Sequence, residues 1–222
     1  MERKFVSRLL ATVEHSKHIE YDENRLFDAI IYFCYHQLKH IDPNHLPEIY
    51  IEIGTEYCED MEHNGTTFTF SENCVFIGLS PKNIKEQSEA GFCYKSPLKS
   101  LFHVFLHEFH HLLVLIDLYL KYDGKINIEL IGDQRHKESV KERKKLKRQG
   151  IDSDEIWLNT PKEHDCEWFA FQNLGLLENL YEHDFLYVPR KAFMTKIKKV
   201  KRNPPVKKTQ NVIEMVQPAQ SQ

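Results

Sequence analysis

The stretch from Pro97 to Leu120, PLKSLFHVFLHEFHHLLVLIDLYL, constrains this chain more than any other. Ser96-Pro97 is a start signal, with serine as N-cap and proline at the first helical position, and Asp123-Gly124 marks an end. Its middle is apolar on every side, which places the helix at the centre of a domain rather than on its surface. Yet the same run carries His103, His107, Glu108, His110 and His111. Imidazoles and a carboxylate inside a core are costly unless something pairs with them, so this fold must bring polar partners to its central helix. Residues 107–111, HEFHH, fit H-E-x-x-H. With thirteen histidines in 222 residues, chance alone would place such a pattern in roughly one such chain in fifteen, so the surroundings of the motif carry the argument.

Those surroundings read as α+β. Residues 22–40 space Leu26, Phe27, Ile30, Ile31, Cys34 and Leu38 at helical intervals, and Asp42-Pro43 stops them. IYIEI at 49–53 fits a strand, and TTFTF at 66–70 with CVFIGL at 74–79 fits a hairpin across the polar SEN. A short strand is expected over 125–132, a basic surface helix over 136–149 ended by Gly150, and a further helix from Thr160-Pro161. Short strands between helices without regular alternation give an α+β domain. The expected organisation is an N-terminal helical region over 1–44, a domain over 45–188 with an insertion at about 122–159, and a basic C-terminal tail over 189–222, polar, proline-bearing and disordered.

Composition adds the compartment. Hydrophobic content of 41% with 28% charged residues fits a soluble globular chain, and no run reaches the apolar length of a membrane span. The N-terminus lacks the apolar core and cleavage site of a signal peptide. Five cysteines, odd in number and without C-x-x-C, suggest free thiols in a reducing compartment; the expected location is cytoplasmic. The basic segments 134–148 and 190–208 are either solvated faces or contacts for nucleic acid or an acidic partner.

The chemistry of the motif follows from helix geometry. Residues four apart share a face, so His107 and His111 can offer two nitrogens to one zinc ion. Glu108, turned aside, can act as general base toward a water without binding the metal. His103 lies one turn earlier and His110 off the face; both read as packing or supporting residues. A catalytic zinc needs a third protein ligand.

Residues 163–170, EHDCEWFA, resemble the second motif of the gluzincin metallopeptidases, in which a helix supplies a ligand glutamate and, four residues on, a residue that hydrogen-bonds a ligand histidine. This resemblance makes Glu163 the third ligand and Glu167 the supporting carboxylate, with Phe169 and Ala170 packed against the active-site helix. The layout over about 45–180 also resembles the small ImmA/IrrE-like members. It implies a zincin-like fold, with a small mixed or antiparallel sheet packed on the H-E-x-x-H helix and on a second ligand-bearing helix. The implied activity is zinc-dependent hydrolysis of a protein or peptide substrate with Glu108 as catalytic base. Strand 74–80 would be the edge that holds extended substrate by β-addition, and Tyr181, His183 or Tyr187 the oxyanion donor. Two readings stay open beside it. Thr160-x-x-Glu163 could be an ordinary capping box, and His136 could be the third ligand, as in SprT-like proteases that act near DNA. A non-catalytic, metal-bearing binding module is the competing class.

Overall fold

In a computed structural model of the chain, residues 8–91, 93–122, 127–151, 156 and 160–183 are described, all within one compact unit, Met1–Val188. The expected tail, with segment 190–208 and Tyr187, lies outside the described residues. The elements are β1 (Leu9–Val13), α1 (Glu23–Leu38), β2 (Glu48–Ile53), the short α2 (Glu56–Glu59), β3 (Gly65–Ser71), β4 (Cys74–Leu79), α3 (Pro81–Glu89), α4 (Pro97–Lys121), α5 (Ile128–Arg148) and α6 (Pro161–Glu182). They form an α+β fold on a small mixed sheet in the order β1-β2-β4-β3, with β1, β2 and β4 parallel and β3 antiparallel to β4.

Local signals explain most of these elements. The Asp22 carboxylate accepts from the amides of Asn24 and Arg25 to start α1, and the Ser96 hydroxyl accepts from Lys99 to start α4, each occupying amides that a helix start leaves unpaired. In β2, Ile49, Ile51 and Ile53 are fully buried while Glu48, Tyr50 and Glu52 face the other way, the alternation of a sheet with one face in the core. Across the register Ile49 and Ile51 meet Val75 and Ile77 of β4, and this apolar face takes the helices.

Four expectations are corrected. β1, inside the region read as helical, is a strand that pairs in parallel with β2, Leu9 opposite Ile49; a five-residue, mostly apolar run does not reveal a strand until the distant partner is present. Residues 128–132 are the first turn of α5, not a strand. Asn127 caps that turn at the Glu129 amide, 2.8 Å, and Ile128 and Ile131, three apart, are buried. Strand 74–80 is not an edge: β4 lies between β2 and β3, and the edges of the described sheet are β1 and β3. Finally, α4 is long and apolar enough by length and composition to cross a membrane; 56% of its most apolar window is buried inside the fold.

Two faces of α4 do different work. Phe105 and Phe109 pack edge-on against Phe33 of α1, at 6.2 and 5.5 Å between ring centres, and Phe169 of α6 meets Phe33 at 6.5 Å. His103, His107 and His111 start two residues off that phase, some 200° around the helix, and face α6. The aromatic cluster therefore holds α1 and α6 to α4, with Phe169 meeting Phe33 and Phe109 while Glu163 and Glu167 of the same helix meet the histidines.

Candidate metal centre

The polar side of α4 is built from two helices some fifty residues apart in sequence. His107 Nε2 lies 3.2 Å from Glu163 Oε2, and His111 Nε2 lies 3.3 Å from the same oxygen. Cys166, one turn further along α6, brings its Sγ to 3.1 Å from His111 Nδ1 and 3.3 Å from His110 Nδ1. One donor atom from each of His107, His111, Glu163 and Cys166 falls within a sphere where all lie within 4.8 Å of one another. Two imidazoles, a carboxylate and a thiol form a donor set suited to zinc and ill suited to magnesium or calcium, which take oxygen ligands.

Around this set stands a supporting layer. Glu167 bridges two histidines, His103 Nε2 at 2.8 Å and His107 Nδ1 at 2.9 Å. A carboxylate on the far nitrogen of a ligand imidazole fixes its orientation and raises its basicity. His103 is thereby held through Glu167, and His110 through Cys166. The Glu163 carboxylate divides its oxygens: Oε2 meets the histidines, while Oε1 faces Arg143 at 3.5 Å and Lys162 at 4.0 Å.

Charge follows from these contacts. Burial works against a proton on His107, but the Glu163 and Glu167 carboxylates outweigh it and push its pKa up to about 9. His111 shares Glu163 yet moves down, because burial, and after it the Lys162 and His107 cations, oppose a further charge there. Burial alone would raise Glu163 and Glu167, but their histidine partners hold Glu163 far below the usual carboxylate range and Glu167 at about 2. Burial, reinforced by Glu163, pushes the Cys166 thiol well up.

Glu108 is 8% exposed and is positioned from β3. The Thr67 hydroxyl sits 2.8 Å from Glu108 Oε2 and 2.9 Å from its backbone carbonyl. Gly65 allows this approach: a Cβ there would stand 2.7 Å from Val104 Cγ1 and 2.8 Å from Glu108 Cγ. Beside His111 a groove of about 280 Å³ opens between Thr67–Thr69 of β3 and Arg135–Arg143 of α5.

The sequence-derived candidates can now be placed. His107, His111 and Glu163 come together, and Glu108 lies beside them. His136 lines the groove but is outside the donor cluster formed among the described residues. The Thr160 hydroxyl makes no cap on α6; it donates to the Ile156 carbonyl at 2.8 Å, so no capping box holds Glu163 away from the histidines. Tyr181 is engaged elsewhere, its hydroxyl accepting from the Asp22 amide at 2.8 Å. His183 hydrogen-bonds the Asn179 carbonyl at the end of α6. Cys166 was missed: a lone cysteine has no sequence signature, although its spacing of three from Glu163 puts both on one helix face. No protein-family model, curated protein or solved structure matches the chain.

Proposed function

We propose that the protein is a zinc-dependent metallopeptidase of gluzincin type that hydrolyses a peptide bond in a protein or peptide substrate. The observation that carries this reading is the convergence of His107 and His111 with Glu163, supported by Glu167 and flanked by Glu108, at the head of a groove. His107, His111 and Glu163 would hold a zinc ion, which would supply Lewis acidity toward the scissile carbonyl and the attacking water. Glu108, oriented by Thr67, takes a proton from the attacking water and returns it to the leaving amine. Glu167 keeps His107 in one orientation and one tautomer. Extended substrate lies along β3, an edge strand, with the groove receiving one of its side chains.

Cys166 supports a second reading. As a fourth donor within the cluster it would close the coordination sphere, and a closed sphere is the mark of structural zinc. The first test is metal content by mass spectrometry. Near-stoichiometric zinc is expected in the wild type and in His136→Ala, with loss in His107→Ala and Glu163→Ala. Glu108→Gln should keep the zinc and lose hydrolysis by about 10²–10⁴-fold. Zinc-free wild type after reconstitution would end the reading, and zinc lost in His136→Ala alone would transfer the third ligand to that residue.

A further inference from the structure

The groove beside His111 carries more positive charge than its neighbours neutralise. Arg135, Arg143 and Lys162 line it, and Asp133 is the one acidic residue among the described lining. Arg143 and Lys162 lean toward Glu163 Oε1, a carboxylate whose charge a bound metal would share. Arg135 is different. Its Nη1 is buried and finds no hydrogen-bond partner among the described residues, and burial depresses the pKa of its guanidinium. The residue is half-buried and feels the Glu163 and Glu138 carboxylates, but one N–H donor without an acceptor is costly, and the remedy is a ligand bearing a planar anion, which a guanidinium grips with two parallel hydrogen bonds.

From this we infer that the groove selects substrates carrying a carboxylate beside the scissile bond, received by Arg135 with Arg143 and Lys162 completing the positive field. The inference rests on the peptidase reading for the position of the scissile bond, but not for the anion site itself. A carboxylate fits better than a nucleic-acid backbone. The groove is a slot of about 280 Å³ walled by β3 and α5, whereas Lys137, Lys141, Lys144, Lys145 and Arg148 stand exposed further out on α5. A phosphate chain would meet those residues first and leave the buried Arg135 nitrogen unsatisfied. The carboxylate can come from an aspartate or glutamate side chain, or from the free C-terminus of the substrate.

The test uses full-length Glu108→Gln, so that binding is read without turnover. Its probes are N-acetylated, C-amidated alanine pentapeptides with one aspartate or one asparagine at each position in turn, the pentapeptide with a free C-terminus, and oligothymidylate. Binding is followed by calorimetry, with zinc content measured on each sample. The expected result is a preference of at least tenfold for aspartate over asparagine at one position, or for the free over the amidated C-terminus; which of the two appears names the source. Arg135→Gln should erase the preference and Arg135→Lys should restore part of it. Equal binding of aspartate and asparagine peptides together with equal binding of both C-termini overturns the proposal, as does binding of oligothymidylate alone. The peptide comparison is internal to one protein, so it decides even if Arg135 variants fold poorly. A zinc-loaded protein without the preference would overturn the anion site and leave the peptidase reading intact; the preference in a protein that holds no zinc would do the reverse.

Discussion

Zinc binding should expel protons in a number that reveals the ligand set. His107 sits between two carboxylates, at 3.2 Å from Glu163 and 2.9 Å from Glu167, with its pKa pushed up to about 9. At pH 6.5 it is therefore protonated, and metal cannot take a nitrogen that carries a proton. Displacing that proton costs about 3 kcal/mol at this pH, so His107 alone should make apparent zinc affinity rise about tenfold per pH unit and level off near pH 9. The sign is fixed by the direction of the shift: a raised pKa favours the metal-free form below 9 and ceases to matter above it. Glu163 and Glu167 are held low and release nothing at pH 6.5. His111, held below its ordinary 6.5, adds less than half a proton. Three-ligand binding should thus expel between one and about one and a half protons. Burial keeps the Cys166 thiol protonated, so its ligation would add one more. Calorimetry at pH 6.5 in buffers of different ionisation enthalpy counts these protons directly, on wild type and on Cys166→Ser. A count one lower in the variant assigns Cys166 as a ligand and favours the closed, structural site; equal counts favour an open position. Fewer than half a proton released from either protein would mean that His107 is neutral in the free protein, and would refute the ion-pair account of the site.

Other expectations follow from single contacts. Thr67→Val removes the hydroxyl that sits 2.8 Å from Glu108 and should lower hydrolysis about tenfold with zinc content unchanged; unchanged activity would show that Thr67 does not orient the base. Phe109→Ala empties the ring packed against Phe33 and should cost about 3–5 kcal/mol in urea unfolding. A loss under 1 kcal/mol would mean the cluster does not hold α4 to α1. Gly132→Ala should destabilise although alanine favours helix, because its Cβ would lie 2.7 Å from Thr69 Oγ1. The overpacking of about 1–3 kcal/mol exceeds the propensity gain of about 1 kcal/mol, and a more stable variant would show that Thr69 yields easily.

Local physics sufficed for much of this molecule. Helix α4 could be read from its Ser-Pro start and its all-round apolar surface, α1 from its spacing and the hairpin from two β-rich runs about a polar turn. The pairing of His107 with His111 and the offset of Glu108 needed only the pitch of a helix. Placing Glu163 and Glu167 against them took a resemblance, since helix pitch puts two glutamates on one face without saying what that face meets. Other features belong to the fold as a whole. LLATV becomes β1 only because β2 offers a parallel partner some forty residues away, and IELIG satisfies strand and helix periods equally until Asn127 caps it. That β4 is interior and β3 an edge depends on strand order, which side-chain alternation does not encode. Cys166 joined the cluster, and Arg135 Nη1 was shut away without a hydrogen-bond partner among the described residues, where α6 and α5 pack on α4 and β3. A sequence specifies what each helix face carries; which faces meet, and therefore which charges are buried together, is decided by tertiary packing, because desolvation acts only once the elements have closed on one another.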